Sequence, residues 1–430
     1  MNITSVENTI TTSITKTKTF VPAKGQLSKI ARKLVHNQLL RLHTGCFQIE
    51  EDGEVFSFGQ GIAETRLVAR LVVHDASCYG EIMTGGTIGA AESFMTGDWS
   101  SPDLTMLVRV MVRNMDILDQ IEGGLALISK PLLKGFHYFN QNSAKGSRRN
   151  IAAHYDLGND LFEAFLDPTM MYSSGVFPAA DASMEEASLN KLKIICEKLQ
   201  LTPNDHVVEI GTGWGGFAIY AAKNYGCKVT TTTISQQQFN LAKQRVEEAG
   251  LQDKITLLLE DYRDLKKDYA GQFDKLVSIE MIEAVGWKFY NTFFSHCGAL
   301  LKPEGIALIQ AITIVDQRYD QARKDVDFIQ RYIFPGSCIP SITALVNAST
   351  DASDLNLVQA QDFGSHYART LKIWQDTFSE KSQQISELGY SDDFKRMWQF
   401  YLSYCEGGFK ERTIGVNHLV FAKPEAKVVY

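Results

Sequence analysis

Short apolar runs alternate with longer amphipathic segments through the C-terminal two thirds of the chain. Runs rich in valine, isoleucine and threonine have the length of buried strands, whereas apolar residues at every third or fourth position are typical of helices. The pattern predicts helices over 217–225 and 236–249, and strands over 207–210, 228–234, 255–259, 273–279 and 305–313. Such alternation forms a parallel sheet with helices on both faces, so the predicted fold class is α/β.

Residues 26–122 follow a different pattern. The sequence predicts a helix over 27–42, a β-hairpin over 47–58, a strand over 65–73, and a helix over 77–95 that is broken at Gly85 and Gly86. We expect these elements to form a smaller mixed α+β accessory domain that is associated with lipid or membrane. Residues 1–25 show no periodicity, and we expect them to be a disordered tail.

A basic segment, residues 123–150, is expected to link the accessory domain to a catalytic domain over 151–430. No acidic residue occurs between Gly123 and Tyr155, and basic residues stand among leucine, phenylalanine and tyrosine: Lys130, Lys134, Lys145, Arg148 and Arg149. This composition suits an anionic membrane surface, where each basic residue contributes about 1 kcal/mol. A solvated linker between domains is an equally good explanation.

Composition narrows the class of protein. The formal net charge of −7 argues against a nucleic-acid partner, which would favour a positive surface. The seven cysteines stand singly without a CxxC pair, so we expect neither a zinc site nor a disulfide framework. No apolar run reaches the roughly 20 residues that span a bilayer, and the N-terminal segment lacks the apolar run of a signal peptide. We therefore expect a cytoplasmic protein.

A glycine-dense turn follows the first strand of the α/β region, in the sequence VVEIGTGWGG at 207–216. Gly211 and Gly213 would let backbone amides approach a ligand, and Glu209 could accept hydrogen bonds from hydroxyl or ammonium groups. A turn that serves packing alone is the alternative. Ligands of such folds bind beyond the carboxyl ends of the strands, so we expect the site at 211–215, 233–238, 261–264, 280–286 and 310–313.

The spacing of the glycines favours S-adenosylmethionine over a dinucleotide. A dinucleotide site would have Gly-x-Gly-x-x-Gly and an acidic residue at the end of the second strand, whereas this chain has Gly-x-Gly-x-Gly-Gly and ends that strand at Thr233. S-adenosylmethionine carries an ammonium and no phosphate. Asp261 and Tyr262 could hydrogen-bond its adenine amino group and stack on the ring, although a capped turn would also explain them.

Several motifs occur together in one order: HYDLGND at 154–160, MYSS at 171–174, EIGTGWGG at 209–216, EDYRDL at 260–265 and YIFPG at 332–336. Over roughly residues 145–422 the chain resembles the cyclopropane-fatty-acyl-phospholipid synthases. The resemblance implies a class I S-adenosylmethionine-dependent methyltransferase, with a Rossmann-like, mostly parallel seven-stranded sheet, that acts on the cis double bond of unsaturated phospholipid acyl chains. It also implies peripheral contact with the inner face of the membrane and leaves a homodimer open.

Matching the motifs position by position implies a set of cofactor contacts. The residues expected to hold S-adenosylmethionine are Tyr172, Ser173, Val208, Glu209, Gly211, Thr212, Gly213, Trp214, Gly215, Thr233, Ser235, Gln238, Asp261 and Tyr262.

The implied chemistry requires a dry site with aromatic walls. An isolated alkene is a poor nucleophile, so it must be pressed against the sulfonium methyl group away from water. Methyl transfer leaves a carbocation, which aromatic faces can stabilise. Of six candidate aromatic residues we expect about two to face the substrate. The six are Tyr262, Trp287, Tyr290, Phe363, Tyr367 and Trp374.

Ring closure requires a base, and the resemblance implies a bound bicarbonate in that role. Glu283 matches the family glutamate and could accept a hydrogen bond from bicarbonate, while the phenol of Tyr367 would donate to the anion. The resemblance also places Ile312 at this site. A carboxylate held by a helix dipole is the alternative for Glu283. Glu280 is expected to be a cap or a surface group.

Two positions depart from the family pattern. Ser174 stands where a cysteine usually follows Tyr-Ser, and Gln310 stands where a histidine usually ends the strand after Lys-Pro-Glu-Gly. Both replacements can form hydrogen bonds, so the anion site is expected to survive with altered affinity. The EMIEAVG segment together with Gln310 also resembles the synthase domains of plant cyclopropane-forming proteins.

These departures leave the product open. A weakly held base could give a methylene or methyl-branched chain, or water capture could give an alcohol. Cys405 matches a cysteine that the family pattern links to catalysis, although a small core residue is the alternative. A small-molecule N-methyltransferase and a catalytically inactive lipid-binding protein remain as other functions.

Overall fold

Two β-sheets organise the described part of the chain, which in this computed structural model comprises residues 20–22, 26–59, 67–123 and 157–427. Residues 1–19 and 23–25 of the predicted tail lie outside the described residues. So does the predicted basic linker, apart from Gly123.

The N-terminal sheet has four strands in the order β2-β1-β3-β4. The strands are β1 (Cys46–Glu51), β2 (Glu54–Gly59), β3 (Val68–Val73) and β4 (Trp99–Ser100). Strands β1 and β2 form the predicted hairpin, in which Asp52 and Gly53 make the turn with φ of 52° and 79°. Positive φ at both turn residues matches the right-handed twist of the strands, so this prediction is confirmed.

Within residues 26–59 and 67–123, four helices accompany this sheet: α1 (Gln26–Leu39), α2 (Cys78–Met95), α3 (Leu104–Val112) and α4 (Met115–Gly123). Helix α2 leaves helical geometry at Gly86, where φ is 58° and ψ is −134°. The predicted interruption of this helix is therefore confirmed. Helix α3 begins at Asp103, whose side chain accepts a hydrogen bond from the Met106 amide and so caps the helix.

The second sheet has seven strands in the order β10-β11-β9-β8-β5-β6-β7. The strands are β5 (His206–Ile210), β6 (Lys228–Thr232), β7 (Ile255–Leu258), β8 (Phe273–Ile279), β9 (Leu301–Ile314), β10 (Asn356–Asp362) and β11 (Ile414–Ala422). Strands β5 to β9 run parallel to one another, whereas β11 is antiparallel to β9 and to β10. The five predicted strands are present with ends shifted by up to four residues, and the α/β prediction is confirmed.

Helices surround the seven-stranded sheet: α5 (Asn159–Phe165), α6 (Met184–Lys198), α7 (Gly216–Tyr225), α8 (Gln236–Glu248), α9 (Lys266–Tyr269), α10 (Ile282–Val285), α11 (Tyr290–Leu300), α12 (Asp316–Ala322), α13 (Ile342–Ala352), α14 (Gly364–Glu380), α15 (Ser382–Glu387) and α16 (Asp392–Lys410). A 3₁₀ turn spans Trp287–Phe289, and a π-helical turn spans Ile329–Ile333. Serine side chains cap four of the helices: Ser183, Ser235, Ser341 and Ser391. None of the described helices has both the length and the apolar character needed to cross a bilayer.

Helix α16 packs the N-terminal elements into one hydrophobic cluster with α14 and the π-helical turn of the catalytic region. The ring of Phe400 on this helix contacts the ring of Phe94 on α2, with 5.7 Å between the centroids. The Thr105 hydroxyl on α3 donates to the buried Glu406 carboxylate at 2.7 Å. Arg109 and Arg113 pair with Glu411 at the end of α16. The N-terminal elements therefore pack directly on the helix that also reaches the cavity described below.

The packing of α16 on α3 generates a prediction about Gly407. A Cβ at this position would lie 2.5 Å from Cγ1 of Val108. The change Gly407→Ala should lower the free energy of unfolding by about 1–3 kcal/mol, because an overpacked core outweighs the helix propensity of alanine. Urea denaturation measures this change.

Two comparisons control the Gly407 prediction. The same substitution should have little effect in a Val108→Gly background, because the two atoms nearest to the new Cβ are Cγ1 and Cβ of Val108, at 2.5 and 2.9 Å. Gly80→Ala, where a Cβ would meet nothing within 4 Å, should be neutral or slightly stabilising. Equal destabilisation by Gly80→Ala and Gly407→Ala would show that contact with Val108 is not the cause.

Candidate active site

A cavity lies at the carboxyl ends of the central parallel strands, where ligands of α/β folds bind. One part of its wall comes from residues at the ends of β5 to β8, and these include Glu209, Thr233, Asp261 and Glu280. Another part is largely apolar and comes from the π-helical turn and from α14 and α16. This part includes Ile329, Phe334, Leu371, Tyr401 and Phe409. The cavity thus combines polar strand ends with a hydrophobic wall.

The glycine-dense turn has a fixed and unusual backbone. Gly211, Gly213 and Gly215 have φ of 102°, 52° and 85°, which side chains other than glycine rarely adopt. The amides of Gly211 and Thr212 both donate to the Thr232 carbonyl, at 3.1 and 3.0 Å, and tie the turn to β6. The turn therefore presents its backbone to the cavity in a defined conformation.

Glu209 lies at the end of β5 and is buried. Its carboxylate accepts a hydrogen bond from the Thr231 hydroxyl at 2.6 Å, and burial raises its pKa to about 8. A cation placed beside this carboxyl group would stabilise the ionised form and offset the desolvation. Glu209 is therefore suited to an ammonium group of a ligand.

Other expected cofactor residues are held by hydrogen bonds to neighbouring side chains. The Thr233 hydroxyl donates to the Gln238 side-chain amide oxygen at 2.8 Å. The hydroxyl groups of Tyr172 and Tyr401 lie 2.8 Å apart. Both carboxylate oxygens of Asp261 accept hydrogen bonds from the Arg263 guanidinium, at 2.8 and 2.5 Å. Asp261 thus has the contacts of a capped turn and also lines the cavity.

The cavity gathers most of the residues that the sequence assigned to the cofactor. Those that line it are Tyr172, Ser173, Glu209, Gly211, Thr212, Gly213, Trp214, Thr233, Gln238, Asp261 and Tyr262. Val208, Gly215 and Ser235 do not line it. Val208 packs in the hydrophobic core, Gly215 directly precedes α7, and the Ser235 hydroxyl caps α8.

Glu280 directly follows β8 and lines the cavity. Its Oε1 accepts hydrogen bonds from the Ser174 amide at 3.0 Å and from the Gln310 side-chain amide at 2.7 Å. Its Oε2 accepts a hydrogen bond from the Tyr367 hydroxyl at 2.6 Å. The expectation that Glu280 is a cap or a surface group is therefore wrong. Its place at a strand end was the signal in the sequence that could have identified it.

Glu283 lies beside Glu280 in a different environment. Its Oε1 accepts a hydrogen bond from the Ile312 amide, and its Oε2 is buried with no hydrogen-bond partner among the described residues. Burial, and secondarily the charge of Glu280, raises the pKa of Glu283 to about 8. Burial also raises the pKa of Glu280, against the opposing effects of its donors and of Lys191. Glu280, which has more donors, is the carboxylate that ionises first.

Two buried groups behind this pair were not identified from the sequence. Lys191 on α6 donates to the Ser173 hydroxyl oxygen at 2.6 Å, and burial lowers its pKa to about 8. His418 on β11 lies 2.9 Å from Oε1 of Gln310, and burial lowers its pKa well below the usual value. Lys191 stands on the apolar face of α6, and this unusual placement of a lysine could have identified it from the sequence.

The surroundings of Ser174 and Cys405 bear on the roles that the sequence suggested for them. The Ser174 hydroxyl donates to the Gly175 carbonyl at 2.9 Å, so only its backbone amide reaches the carboxylate of Glu280. Cys405 lines the cavity, and burial raises the pKa of its thiol far above the ordinary value. A thiol of this kind is not a ready nucleophile. These contacts favour the interpretation of Cys405 as a wall residue.

Two of the six candidate aromatic residues, Tyr262 and Tyr367, line the cavity. The other four, Trp287, Tyr290, Phe363 and Trp374, do not line it. Trp374 is fully buried, and the Tyr290 hydroxyl donates to the Cys338 carbonyl at 2.7 Å. Further aromatic residues that the chemical argument did not name also line the cavity: Phe289, Phe334, Tyr401 and Phe409.

Comparison with known proteins agrees with this geometry. Residues 142–419 match the family model described as mycolic acid cyclopropane synthetase. The chain is 35% identical over 397 residues to a tuberculostearic acid methyltransferase of Mycobacterium tuberculosis, covering 90% of each protein. It is 38% identical to the cyclopropane-fatty-acyl-phospholipid synthase of Escherichia coli K12, covering 83% of this chain and 88% of that one.

A solved structure extends the similarity to the fold. The chain is 29% identical to a mycolic acid cyclopropane synthase solved with SAH and CTAB, with a TM-score of 0.59. The match covers 64% of this chain and 98% of the solved one. The predicted seven-stranded methyltransferase fold is therefore confirmed.

The raised pKa of Glu283 generates a prediction about stability and pH. The folded protein holds this proton up to about pH 8, whereas the ordinary value is 4.5. The contribution of Glu283 to stability is therefore complete below about pH 4.5 and is lost as the pH rises towards 8. Between pH 5 and 8, Glu283→Gln should flatten the fall in the free energy of unfolding, as measured by urea denaturation at each pH. Glu304→Gln, at an exposed position, should keep the wild-type slope. Parallel curves for Glu283→Gln and wild type would contradict this account of Glu283.

Proposed function

The chain belongs to the mycolic acid cyclopropane synthetase family, and on that premise we propose that it converts the cis double bond of unsaturated phospholipid acyl chains into a cyclopropane ring. It is a methyltransferase that uses S-adenosylmethionine. The observation that carries the proposal is one cavity that joins the glycine turn, an apolar wall and the Glu280–Glu283 pair.

The residues at the strand ends are suited to the cofactor. The buried Glu209 carboxylate fits the ammonium of the amino-acid end, and its raised pKa indicates a site that favours a cationic partner. A Cβ at Gly213 would meet nothing within 4 Å, so its glycine is explained by the positive φ of the turn. Tyr262 and Asp261 line the same cavity, and in the proposed complex Tyr262 stacks on the adenine while Asp261 accepts from its amino group. When bound, S-adenosylmethionine supplies an electrophilic methyl group.

The apolar wall is suited to an alkyl chain. Ile329, Leu371 and Phe409 remove water from the space next to the strand ends, which brings the alkene against the methyl donor in a medium of low dielectric constant. The aromatic faces of Tyr367 and Tyr401 can stabilise the positive charge that methyl transfer leaves on the chain. Neither tyrosine is ionised in the pH range of activity, because burial raises the pKa of each well above its ordinary value.

Bicarbonate, the base that the family resemblance implies, fits these residues poorly. The Ser174 amide, the Gln310 side-chain amide and the Tyr367 hydroxyl already donate to Glu280. The Ile312 amide already donates to Glu283. An added anion would meet the Glu280 carboxylate, to which these donors already donate, and like charges at short range disfavour one another.

A second candidate is C-methylation that yields a methylene or methyl-branched chain. It is favoured by the match to the tuberculostearic acid methyltransferase over 90% of both chains. Both candidates begin with methyl transfer. Loss of a proton from the new methyl group gives either the ring or the methylene chain, and the methyl-branched chain additionally requires a hydride from a separate reductant. Methylation of a small soluble amine is less well supported, because the apolar wall offers such a substrate little to bind.

Helix α1 supports the proposal of peripheral contact with a lipid surface. Ile30 and Leu34 lie one helical turn apart and are 54% and 41% exposed. Lys29 and Lys33 lie beside them and are also exposed. An exposed helix face with apolar and basic residues suits the boundary of an anionic bilayer, where the apolar side chains enter and the lysines meet the headgroups.

Product analysis tests the proposed reaction. Incubation with labelled S-adenosylmethionine and vesicles of a monounsaturated phospholipid should yield acyl chains that are heavier by one CH₂ unit and have lost the alkene. Mass spectrometry and NMR of the lipid extract distinguish rings from methylene, methyl-branched and hydroxylated chains. Vesicles of saturated phospholipid are the control and should remain unchanged. Labelled chains without rings would support the second candidate, and transfer to soluble amines with unchanged lipid would contradict both.

Vesicle binding tests the role of α1. The double change Ile30→Ser/Leu34→Ser should weaken binding to anionic phospholipid vesicles by about tenfold or more, because two apolar side chains no longer enter the bilayer. Co-sedimentation with vesicles measures the bound fraction. Val358→Ser removes an apolar side chain that is 40% exposed on β10 and should bind like the wild type. Unchanged binding by the α1 variant would exclude this face as the lipid contact.

A further inference from the structure

We propose that Glu280 is the base of the reaction and that its carboxylate replaces a bound bicarbonate. This inference rests on the proposed function and names the group that removes the proton in ring closure. Three observations support it: the hydrogen-bond donors around Glu280, the positive φ of its backbone, and the burial that keeps Glu283 protonated.

The donors expected around an external anion converge on a carboxylate of the chain itself. The Ser174 amide and the Gln310 side-chain amide donate to Oε1, and the Tyr367 hydroxyl donates to Oε2. Ser174, Gln310 and Tyr367 are the positions that the family pattern places around bicarbonate. A glutamate carboxylate has the same planar pair of oxygens as bicarbonate, and here it satisfies the same donors.

The backbone at Glu280 has a conformation that glycine adopts without strain. Its φ is 49°, in the left-handed region that other side chains rarely occupy. A glutamate here combines an unfavourable backbone with a desolvated carboxyl group that lines the cavity. Strained residues that persist in this way concentrate at functional sites, where the surrounding structure holds them in place.

The neighbouring groups leave Glu280 as the available base. Glu283 keeps a proton up to about pH 8, since burial raises its pKa. The Cys405 thiol is also held neutral by burial. Lys191 donates to Ser173 and places a positive charge near Glu280, which helps the carboxylate to remain ionised. Gln310 is in turn fixed by its contact with His418 at 2.9 Å.

The step that Glu280 performs is a proton transfer coupled to bond formation. After methyl transfer, a C–H bond of the new methyl group breaks, and its electron pair forms the third bond of the ring at the cationic carbon. The proton goes to Oε2 of Glu280, which accepts one hydrogen bond where Oε1 accepts two. The desolvated carboxylate is a stronger base than one in water, because burial raises the pKa of Glu280.

Two substitutions at Glu280 distinguish the loss of the basic group from the loss of side-chain volume. Glu280→Gln keeps the side-chain volume but removes the base, so ring formation should fall by at least about 100-fold. Glu280→Gly removes the side chain at a position whose φ suits glycine, so this variant should fold at least as stably as the wild type. Glu304→Gln is the exposed control and should retain wild-type activity.

The assays are run in buffer freed of carbon dioxide and then with millimolar bicarbonate or formate. The wild type should form rings at the same rate in both. Without added anion, Glu280→Gly should form rings as slowly as Glu280→Gln. Added anion should raise the rate of ring formation at least about tenfold in Glu280→Gly and should leave the rate of Glu280→Gln unchanged. Both variants should divert product from rings to hydroxylated chains, which a purely structural defect would not do.

A binding measurement gives a readout that does not depend on turnover. Line broadening of ¹³C-labelled bicarbonate should show no binding to the wild type or to Glu280→Gln, and clear binding to Glu280→Gly. Binding by the wild type, a wild-type rate that depends on bicarbonate, or normal ring formation by Glu280→Gln would each overturn the proposal. Wild-type protein that modifies no lipid would instead refute the proposed function, and the binding comparison would still decide whether Glu280 fills the anion position.

Discussion

The mutual repulsion of two desolvated carboxyl groups is the constraint that shapes this site. Glu280 and Glu283 are separated by two residues at the end of β8, and burial disfavours a charge on either of them. The surrounding groups stabilise the ionised form of Glu280 more than that of Glu283, because three donors contact Glu280 whereas one amide contacts Glu283. One group is thereby prepared to accept a proton while the other retains its own. Acid–base function at neutral pH follows from this asymmetry.

The asymmetry requires contacts between elements that are far apart in the sequence. Ser174 precedes α6, Gln310 lies on β9 and Tyr367 lies on α14, at separations of 106, 30 and 87 residues from Glu280. Behind them, β11 supplies His418, which fixes the orientation of the Gln310 amide. The site therefore exists only when the sheet is complete up to its antiparallel strand. Catalytic activity therefore requires that the whole catalytic region is folded.

The same separations explain which features were predictable from sequence. The parallel strands and the glycine turn were predicted because their signals are local, in apolar runs and in residues that permit positive φ. Glu280 was misjudged because nothing within a few residues reveals its donors, and the Ser174 hydroxyl was misjudged because its partner, the Gly175 carbonyl, depends on the path of the backbone. Strands β10 and β11 were not predicted. The former is mostly exposed and polar, so its apolar signal is weak.

Helix α16 has one further consequence, for the modularity of the protein. Tyr401, Cys405 and Phe409 on this helix form part of the cavity wall, while Phe400 and Gly407 pack against the N-terminal helices. The N-terminal region and the catalytic region share this helix, so exchanging one of them between homologues would disturb the packing of the other. A chimera that imports a foreign N-terminal half would also change the packing behind this part of the cavity wall.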